Sequence, residues 1–426
     1  MRLKMEKYYN FAAHLLLYAR AMAKWLLVSV VVGLLCGLVG SAFHFGVSYA
    51  STFREVHAWV IYTLPVAGLL AVALYRLFHT EGQGTNNILQ EIQCGKGVSL
   101  SLIPAIFLTT VLTHLAGGSA GREGAALQMG GGIGYNTGRL LKLDDRDLRT
   151  ATMVGMAAFF SALFGTPLGA AVFSLEVISV GLIYHAAFIP CFIASMTAYG
   201  VALLLGISPE RFAVSVPAFS LLMLIRVAIL AVLGGTLSAV FCGILHFTER
   251  KSENIFKNPW IRAFAGGTVI FVLTLLLGCD YNGAGMIIIN RAIEKGSAVP
   301  TAFLWKMVFT AITLAVGFKG GEVVPSFFVG ATFGCVTGPL LGLPAEFSAA
   351  VGLITVFCGA VNCPLASIFL AIELFGADGM LFYALACGLS YVFSGYSGLY
   401  SSQRILYDKL KAQFIDVHTN AYHEGG

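Results

Sequence analysis

Two glycine-rich stretches about 200 positions apart each set one carboxylate where an apolar helix is expected to begin. The first reads Gly117-Gly-Ser-Ala-Gly-Arg122-Glu123-Gly124 and runs on into Gly130, Gly134 and Gly138. The second reads Gly317-Phe-Lys-Gly-Gly321-Glu322-Val323-Val324-Pro325 and runs on into Gly330, Gly334 and Gly338. Glycine lets the backbone turn, and a helix start leaves N–H groups with no acceptor of their own. Those groups and the positive end of the helix dipole attract anions. A carboxylate placed there is a tethered anion that competes with a free one, and it loses that hold when protonated. Glu123 therefore reads as a gate and a proton carrier. The competing reading is a glutamate that caps its helix or pairs with Arg122. Glu322, 199 positions after Glu123, is the mirror-image candidate. Its competing reading is a buried ion pair with Lys319.

Other segments carry weaker signals. The amides and hydroxyl of Gly82-Gln83-Gly84-Thr85-Asn86-Asn87 suit an ion path, since neutral donors fit a desolvated anion, and a plain loop fits the same residues. Tyr400 closes the last apolar segment. Like Tyr391 and Tyr396, it has the position of an interfacial anchor. The glycine ladders read as close helix packing in lipid. His114 reads as a packing residue, and Glu176 and Glu373 as structural or vestibule residues. Cys36, Cys191, Cys242, Cys279 and Cys387 sit singly in apolar segments, with no C-x-x-C and no metal spacing, so core packing is expected and no metal or cofactor. No His-Glu-x-x-His and no paired aspartates lie on the apolar segments, so no enzyme is expected.

The elements that hold these residues must lie in a membrane. The 426 residues are 58% hydrophobic and 11% charged, with mean hydropathy +0.83, against about 25% charged in soluble domains. Apolar segments run from 26–50 to 379–400, with 150–175 and 348–375 each read as one. Several others are too short to cross about 30 Å at 1.5 Å per residue. Short, glycine-interrupted segments at matching places in two halves are a mark of broken helices. The halves match again further on. Pro167-Leu-Gly-Ala-Ala-Val-Phe-Ser-Leu-Glu176 aligns without gaps to Pro364-Leu-Ala-Ser-Ile-Phe-Leu-Ala-Ile-Glu373. The expected organisation is an N-terminal segment 1–19, a first membrane repeat 20–205, an inter-repeat region 206–260 with a polar loop at 249–259, a second repeat 261–403, and a tail 404–426 too short for a regulatory domain. Basic residues cluster before the first segment (Arg2, Lys4, Lys7, Arg20, Lys24), at Arg139, Lys142, Arg146 and Arg149, and after the last segment (Arg404, Lys409, Lys411). By the positive-inside rule both termini are expected to be cytoplasmic, without a cleaved signal peptide. No basic face on a soluble domain supports nucleic-acid binding.

In combination these motifs resemble the CLC anion channels and transporters. Gly121-Arg122-Glu123-Gly124 resembles the family's Gly-Arg-Glu-Gly-Pro signature, and Gly320-Gly321-Glu322-Val323-Val324-Pro325 its Gly-Gly-x-Phe-x-Pro element. Gly82-Gln83-Gly84 falls at the Gly-Ser-Gly-Ile-Pro loop, and Gly398-Leu-Tyr400-Ser at the segment that holds a central tyrosine. The resemblance implies an all-α polytopic protein of two inverted repeats of tilted, broken helices. It further implies a homodimer in the plasma membrane, with one anion pathway per subunit. Glu123 would gate and carry protons, and Tyr400 would bind the central anion. Gln83, Gly84, Arg122, Gly124, Gly321, Glu322, Val323 and Val324 would line the pathway. Ala125 replaces the signature proline, Val323 the usual phenylalanine, and Val177 the internal proton-transfer glutamate. These departures and Glu322 resemble the fluoride/proton antiporter branch, whereas Gln83 stands where its well-known members have methionine. Fluoride/proton antiport is the expected activity, with a chloride channel or chloride/proton exchanger as the alternative.

Overall fold

A computed structural model describes the backbone of residues 2–411 and 413–420, and side chains from Leu16 onward. Among the described residues, sixteen α-helices divide into two sets of eight. The first set is α1 (Arg2–Val56), α2 (Leu64–Leu77), α3 (Thr85–Cys94), α4 (Leu102–Ala116), α5 (Glu123–Leu140), α6 (Asp145–Phe164), α7 (Pro167–Glu176) and α8 (Phe188–Leu204). The second is α9 (Leu221–Ile255), α10 (Pro259–Leu277), α11 (Met286–Lys295), α12 (Ala302–Ala315), α13 (Val323–Leu340), α14 (Ala345–Val361), α15 (Pro364–Phe375) and α16 (Met380–Phe393). Packing repeats with the order: α5 lies on α6 and α13 on α14, α1 on α8 and α9 on α16. The halves are inverted repeats. Among the described residues, six helical stretches are long and apolar enough to cross a membrane. Many leucines, such as Leu204, Leu276 and Leu340, face outward, as a lipid-solvated surface requires.

Sequence reasoning merged helices that are separate. The segments 150–175 and 348–375 each hold two, broken at Gly165-Thr166-Pro167 and at Asn362-Cys363-Pro364. Gly165 and Asn362 take left-handed conformations (φ 68° and 58°), and the residue before a proline is pushed out of the helical region. The expected polar loop 249–259 is also corrected. Helix α9 runs through Ile255, so this stretch is mostly the end of the second set's first helix. The tail adds β-structure to an otherwise helical chain. Strands β1 (Ser179–Val180), β2 (Arg404–Tyr407) and β3 (Phe414–His418) form one sheet, parallel between β1 and β2 and antiparallel between β2 and β3.

The glycine ladders do pack helices closely. A methyl group on Gly130 or Gly134 would collide with the Gly155 or Ala151 carbonyl of α6. One on Gly330 or Gly334 would collide with the Gly352 or Ser348 carbonyl of α14. A second repeated contact joins α7 and α15. Glu373 accepts hydrogen bonds from the Leu168 and Gly169 amides (3.1 and 2.8 Å), and Glu176 from those of Leu365 and Ala366 (3.2 and 2.8 Å). Each glutamate ends one helix and caps the start of the other.

Described members of the basic clusters meet around the start of α6 and the root of the tail. Lys24 pairs with Asp147 at the start of α6. Arg149 donates to the Gln93 carbonyl, and Gln93 donates to the Ser402 carbonyl at the root of the tail.

Candidate functional site

The two glycine breaks meet back to back. Gly117 and Gly317 end the preceding helical segments with φ of 97° and 106°, a conformation costly for any residue with a Cβ. The chains then approach until Gly121 and Gly321 exchange two backbone hydrogen bonds of 2.7 Å. A methyl on Gly124 would lie 2.8 Å from the Gly321 Cα, so both glycines are needed for the approach. Helices α5 and α13 start on either side of this bridge.

The bridge corrects the register of the repeat. Gly121 faces Gly321, and the residues capping α5 and α13 are Arg122 and Glu322. Glu322 is therefore the counterpart of Arg122, and Glu123 that of Val323. One residue turns a helix by about 100°, and the two carboxylates point into different cavities.

Glu123 is fully buried and folds back over its own helix start. Its Oε2 accepts the Arg122 amide at 2.9 Å, and its Oε1 lies 3.4 Å from the Arg122 guanidinium without a hydrogen bond. A methyl on Gly121 would lie 2.5 Å from Oε2, so the glycine makes room for the carboxylate. Arg122 is held in turn by Glu210, at 3.6 Å, and His44, at 2.8 Å. Arg122, Glu123 and Val324 border a cavity of about 510 Å³. Its wall also includes Arg54, His114 and Cys279. His114 is buried and turns Nδ1 toward the Thr110 carbonyl, in line with a packing role. Cys279 is exposed here, not packed in a core as its apolar segment suggested.

Glu322 borders a second, smaller cavity of about 150 Å³, shared with Gln83 and Tyr400, on the tail side. Its Oε2 is buried without a hydrogen bond, and so are the Tyr400 hydroxyl and the Gln128 Oε1. Three unpartnered polar atoms around one small cavity call for a polar occupant. The expected pairing partner turns elsewhere: Lys319 lies over the Tyr75 ring, 4.4 Å from its centre. Among the described residues no ion pair within 4.0 Å joins Lys319 to Glu322.

Tyr400 is no interfacial anchor. It is 2% exposed, and its carbonyl accepts from Gln403 N–H (2.9 Å) and the Thr419 hydroxyl (2.6 Å). Gly84 caps α3, its amide donating to Asn87 Oδ1 (2.8 Å), which turns the Gln83 loop toward the cavity. The two cavities thus gather Gln83, Arg122, Glu123, Glu322, Val324 and Tyr400. Gly124 and Gly321 form the wall between them, and Val323 is buried in the first turn of α13.

Four residues with no assigned role also shape the site. Gln128 donates to the Thr85 hydroxyl at 3.1 Å. Its signal was one amide in a glycine and aliphatic run. His246, which borders the tail-side cavity, and Asn420 beside it both reach the Gly398 carbonyl (2.9 and 3.0 Å), and neither carries a signal in spacing. Lys306, a lone charge in an apolar segment, donates to the carbonyls of Tyr281 (3.1 Å) and Gly283 (2.7 Å) and fixes the loop beside the larger cavity.

A family model described as voltage gated chloride channel matches residues 67–395. The chain belongs to this family, the CLC proteins. A relative named chloride/fluoride channel protein, from Pseudomonas syringae pv. tomato, is 37% identical over 398 residues, covering 91% of this chain and 88% of the relative. The H(+)/Cl(-) exchange transporter ClcA of Vibrio campbellii is 25% identical over 384 residues, covering 82% of this chain and 81% of that one. Among solved structures, a CLC-type fluoride/proton antiporter superposes with TM-score 0.87 at 33% identity, covering 90% of this chain and 98% of that chain. As a CLC protein the chain is an integral membrane protein.

Proposed function

We propose that this CLC protein exchanges fluoride for protons, moving fluoride out of the cell across the plasma membrane. One observation carries the reading. Two carboxylates, each with an unpartnered buried oxygen, border separate cavities on either side of a single backbone bridge. In its charged form Glu123 occupies the start of α5. Protonation removes its claim on the Arg122 amide, and an anion takes the place at the amides of α5 and α13. Deprotonated Glu123 then returns as the anion leaves, so anion and proton move in opposite directions. Fluoride binds its water tightly and needs close, strong donors. Protonated Glu322, the Tyr400 hydroxyl and the Gln83 amide supply them on the tail side. The likeness to a fluoride/proton antiporter supports the same anion. The basic clusters at the tail end support a cytoplasmic tail side, and the working unit is a homodimer.

Purified protein in vesicles, followed with fluoride, chloride and proton electrodes, tests the proposal. Fluoride release should drive proton uptake, and Glu123→Gln should abolish that uptake. Chloride flux equal to or above fluoride flux removes the fluoride assignment in favour of a chloride channel or chloride/proton exchanger. Proton coupling that survives Glu123→Gln removes Glu123 as carrier.

A further inference from the structure

The mouth of the tail-side cavity holds a pair of titratable groups that the exchange cycle above does not use. Both belong to the last turns of α9. His246 and Glu249 border the same 150 Å³ cavity as Glu322. His246 Nδ1 lies 3.9 Å from Glu249 Oε2, and the side chains are 20% and 61% exposed. Exposure thus falls from Glu249 at the mouth, through His246, to the buried Oε2 of Glu322.

The histidine's other nitrogen fixes what this pair can hold. Nε2 lies 2.9 Å from the Gly398 carbonyl, which only accepts, and the neighbouring Asn420 Nδ2 (3.1 Å from Nε2) already donates to that same carbonyl at 3.0 Å, so Nε2 carries a hydrogen. A neutral imidazole then turns the Nδ1 lone pair toward Glu249. A lone pair facing a carboxylate attracts it only when one proton sits on the imidazole or on the carboxyl, directly or through a bridging water. The pair is therefore built to hold one proton. The cavity has room for several waters, enough to join the pair to Glu322. Lys319 and Glu322, from the α12–α13 loop, and Arg262, from α10, are the charged groups from other elements that act on the pair. Asn420 of the tail donates to the same Gly398 carbonyl at 3.0 Å.

We propose that His246 and Glu249 form the tail-side proton station of this transporter, receiving protons from water and passing them to Glu322. The inference rests on the antiport reading. A hydronium ion gives its proton to the pair and becomes water. The pair releases that proton through cavity water to the Glu322 carboxylate, which becomes a neutral acid, and the pair returns to its starting charge. Position 177, where the resemblance places the family's internal proton-transfer glutamate, is a buried valine here, so this side needs another way in.

The test is fluoride efflux and proton uptake in vesicles with equal pH on both sides, from pH 5.5 to 8.5. Variants are Glu249→Gln, Glu249→Asp and His246→Gln. A positioned proton donor is worth about 10²–10⁴-fold in a proton-transfer step, and cavity water that takes over part of the transfer reduces the loss toward about tenfold. Glu249→Gln and His246→Gln should therefore fall about tenfold behind the native protein at the alkaline end and rejoin it at the acid end, where hydronium is plentiful. Glu249→Asp should keep most of the native profile. A Glu249→Gln profile that superimposes on the native one, or falls equally at every pH, overturns the proton station while leaving antiport intact. Native vesicles that release fluoride without proton uptake overturn the antiport reading and the station with it.

Discussion

Removing the Glu176 carboxylate should destabilise the protein through the start of α15, a helix Glu176 does not belong to. A helix start leaves four N–H groups without intrahelical acceptors. In α15 the first is absent because Pro364 has no N–H, and the Ser367 amide reaches the Cys363 carbonyl at 3.0 Å. The remaining two, on Leu365 and Ala366, both go to Glu176. Glu176→Ala strands both of them at a site where the glutamate is 6% exposed. A buried donor left without an acceptor costs about 1–3 kcal/mol, so the loss is about 2–4 kcal/mol after partial relaxation. Glu176→Gln keeps one acceptor oxygen without charge and should lose about half as much. Equilibrium unfolding in mixed detergent micelles, followed by tryptophan fluorescence, gives both values. Glu176→Ala within about 0.5 kcal/mol of the native protein, or Glu176→Gln less stable than Glu176→Ala, refutes the reciprocal cap.

Four more outcomes are expected. Glu322→Ala should cut fluoride turnover at least tenfold in the vesicle assay while leaving the unfolding midpoint within error, because no ion pair is broken; retained transport with lost stability would mark a structural residue. Tyr400→Phe should weaken anion binding by about tenfold in isothermal titration, the size of one hydrogen bond to a charged group, with the Gln403 and Thr419 bonds to its carbonyl intact. Gly134→Ala should cost about 1–3 kcal/mol in unfolding through its clash with the Ala151 carbonyl, and more than Gly243→Ala, where nothing lies within 4 Å. In the tail, the Tyr396 hydroxyl and the Leu410 and Lys411 amides donate to Asp408 and hold its carboxyl below the usual value. Its stabilising effect should be complete above the carboxylate's unfolded value and disappear as pH falls through the lower folded one, read as a smaller hydrogen-exchange protection factor (relative to the unstructured rate at the same pH) at the β2–β3 turn near pH 3 than at pH 5.

The breaks in the helices were legible because they have chemical causes. Glycine, proline and a carboxylate at a helix start each restrict the backbone in a way the sequence displays. The duplication was legible too, and so was the lipid environment. The register was legible in the ladders but not in the carboxylates: pairing the glutamates gives an offset of 199, whereas the backbone bridge aligns Arg122 with Glu322. The glycine ladders carry the same offset of 200 (Gly130 to Gly330, Gly134 to Gly334, Gly138 to Gly338), and the hydrogen bonds between Gly121 and Gly321 fix it. Tyr400 had the appearance of a membrane-surface residue until Thr419 and Gln403 enclosed its backbone. The tail-side rim joins His246 to Asn420, 174 residues apart, a meeting that follows from the tail folding back and that no local pattern encodes.

The Gly121–Gly321 bridge also has an electrical consequence. Cavities reach it from both faces, so the insulating part of the protein at this point is about one pair of peptide groups thick. A membrane potential spread over a bilayer elsewhere is concentrated across that thin partition. A charge passing from the Glu322 side to the Glu123 side therefore crosses most of the field in one step, worth about 2.3 kcal/mol per 100 mV. Voltage should act on that one step far more than on entry to either cavity, making the partition between the two glycines the place where the cell's electrical gradient does work on the transported ion.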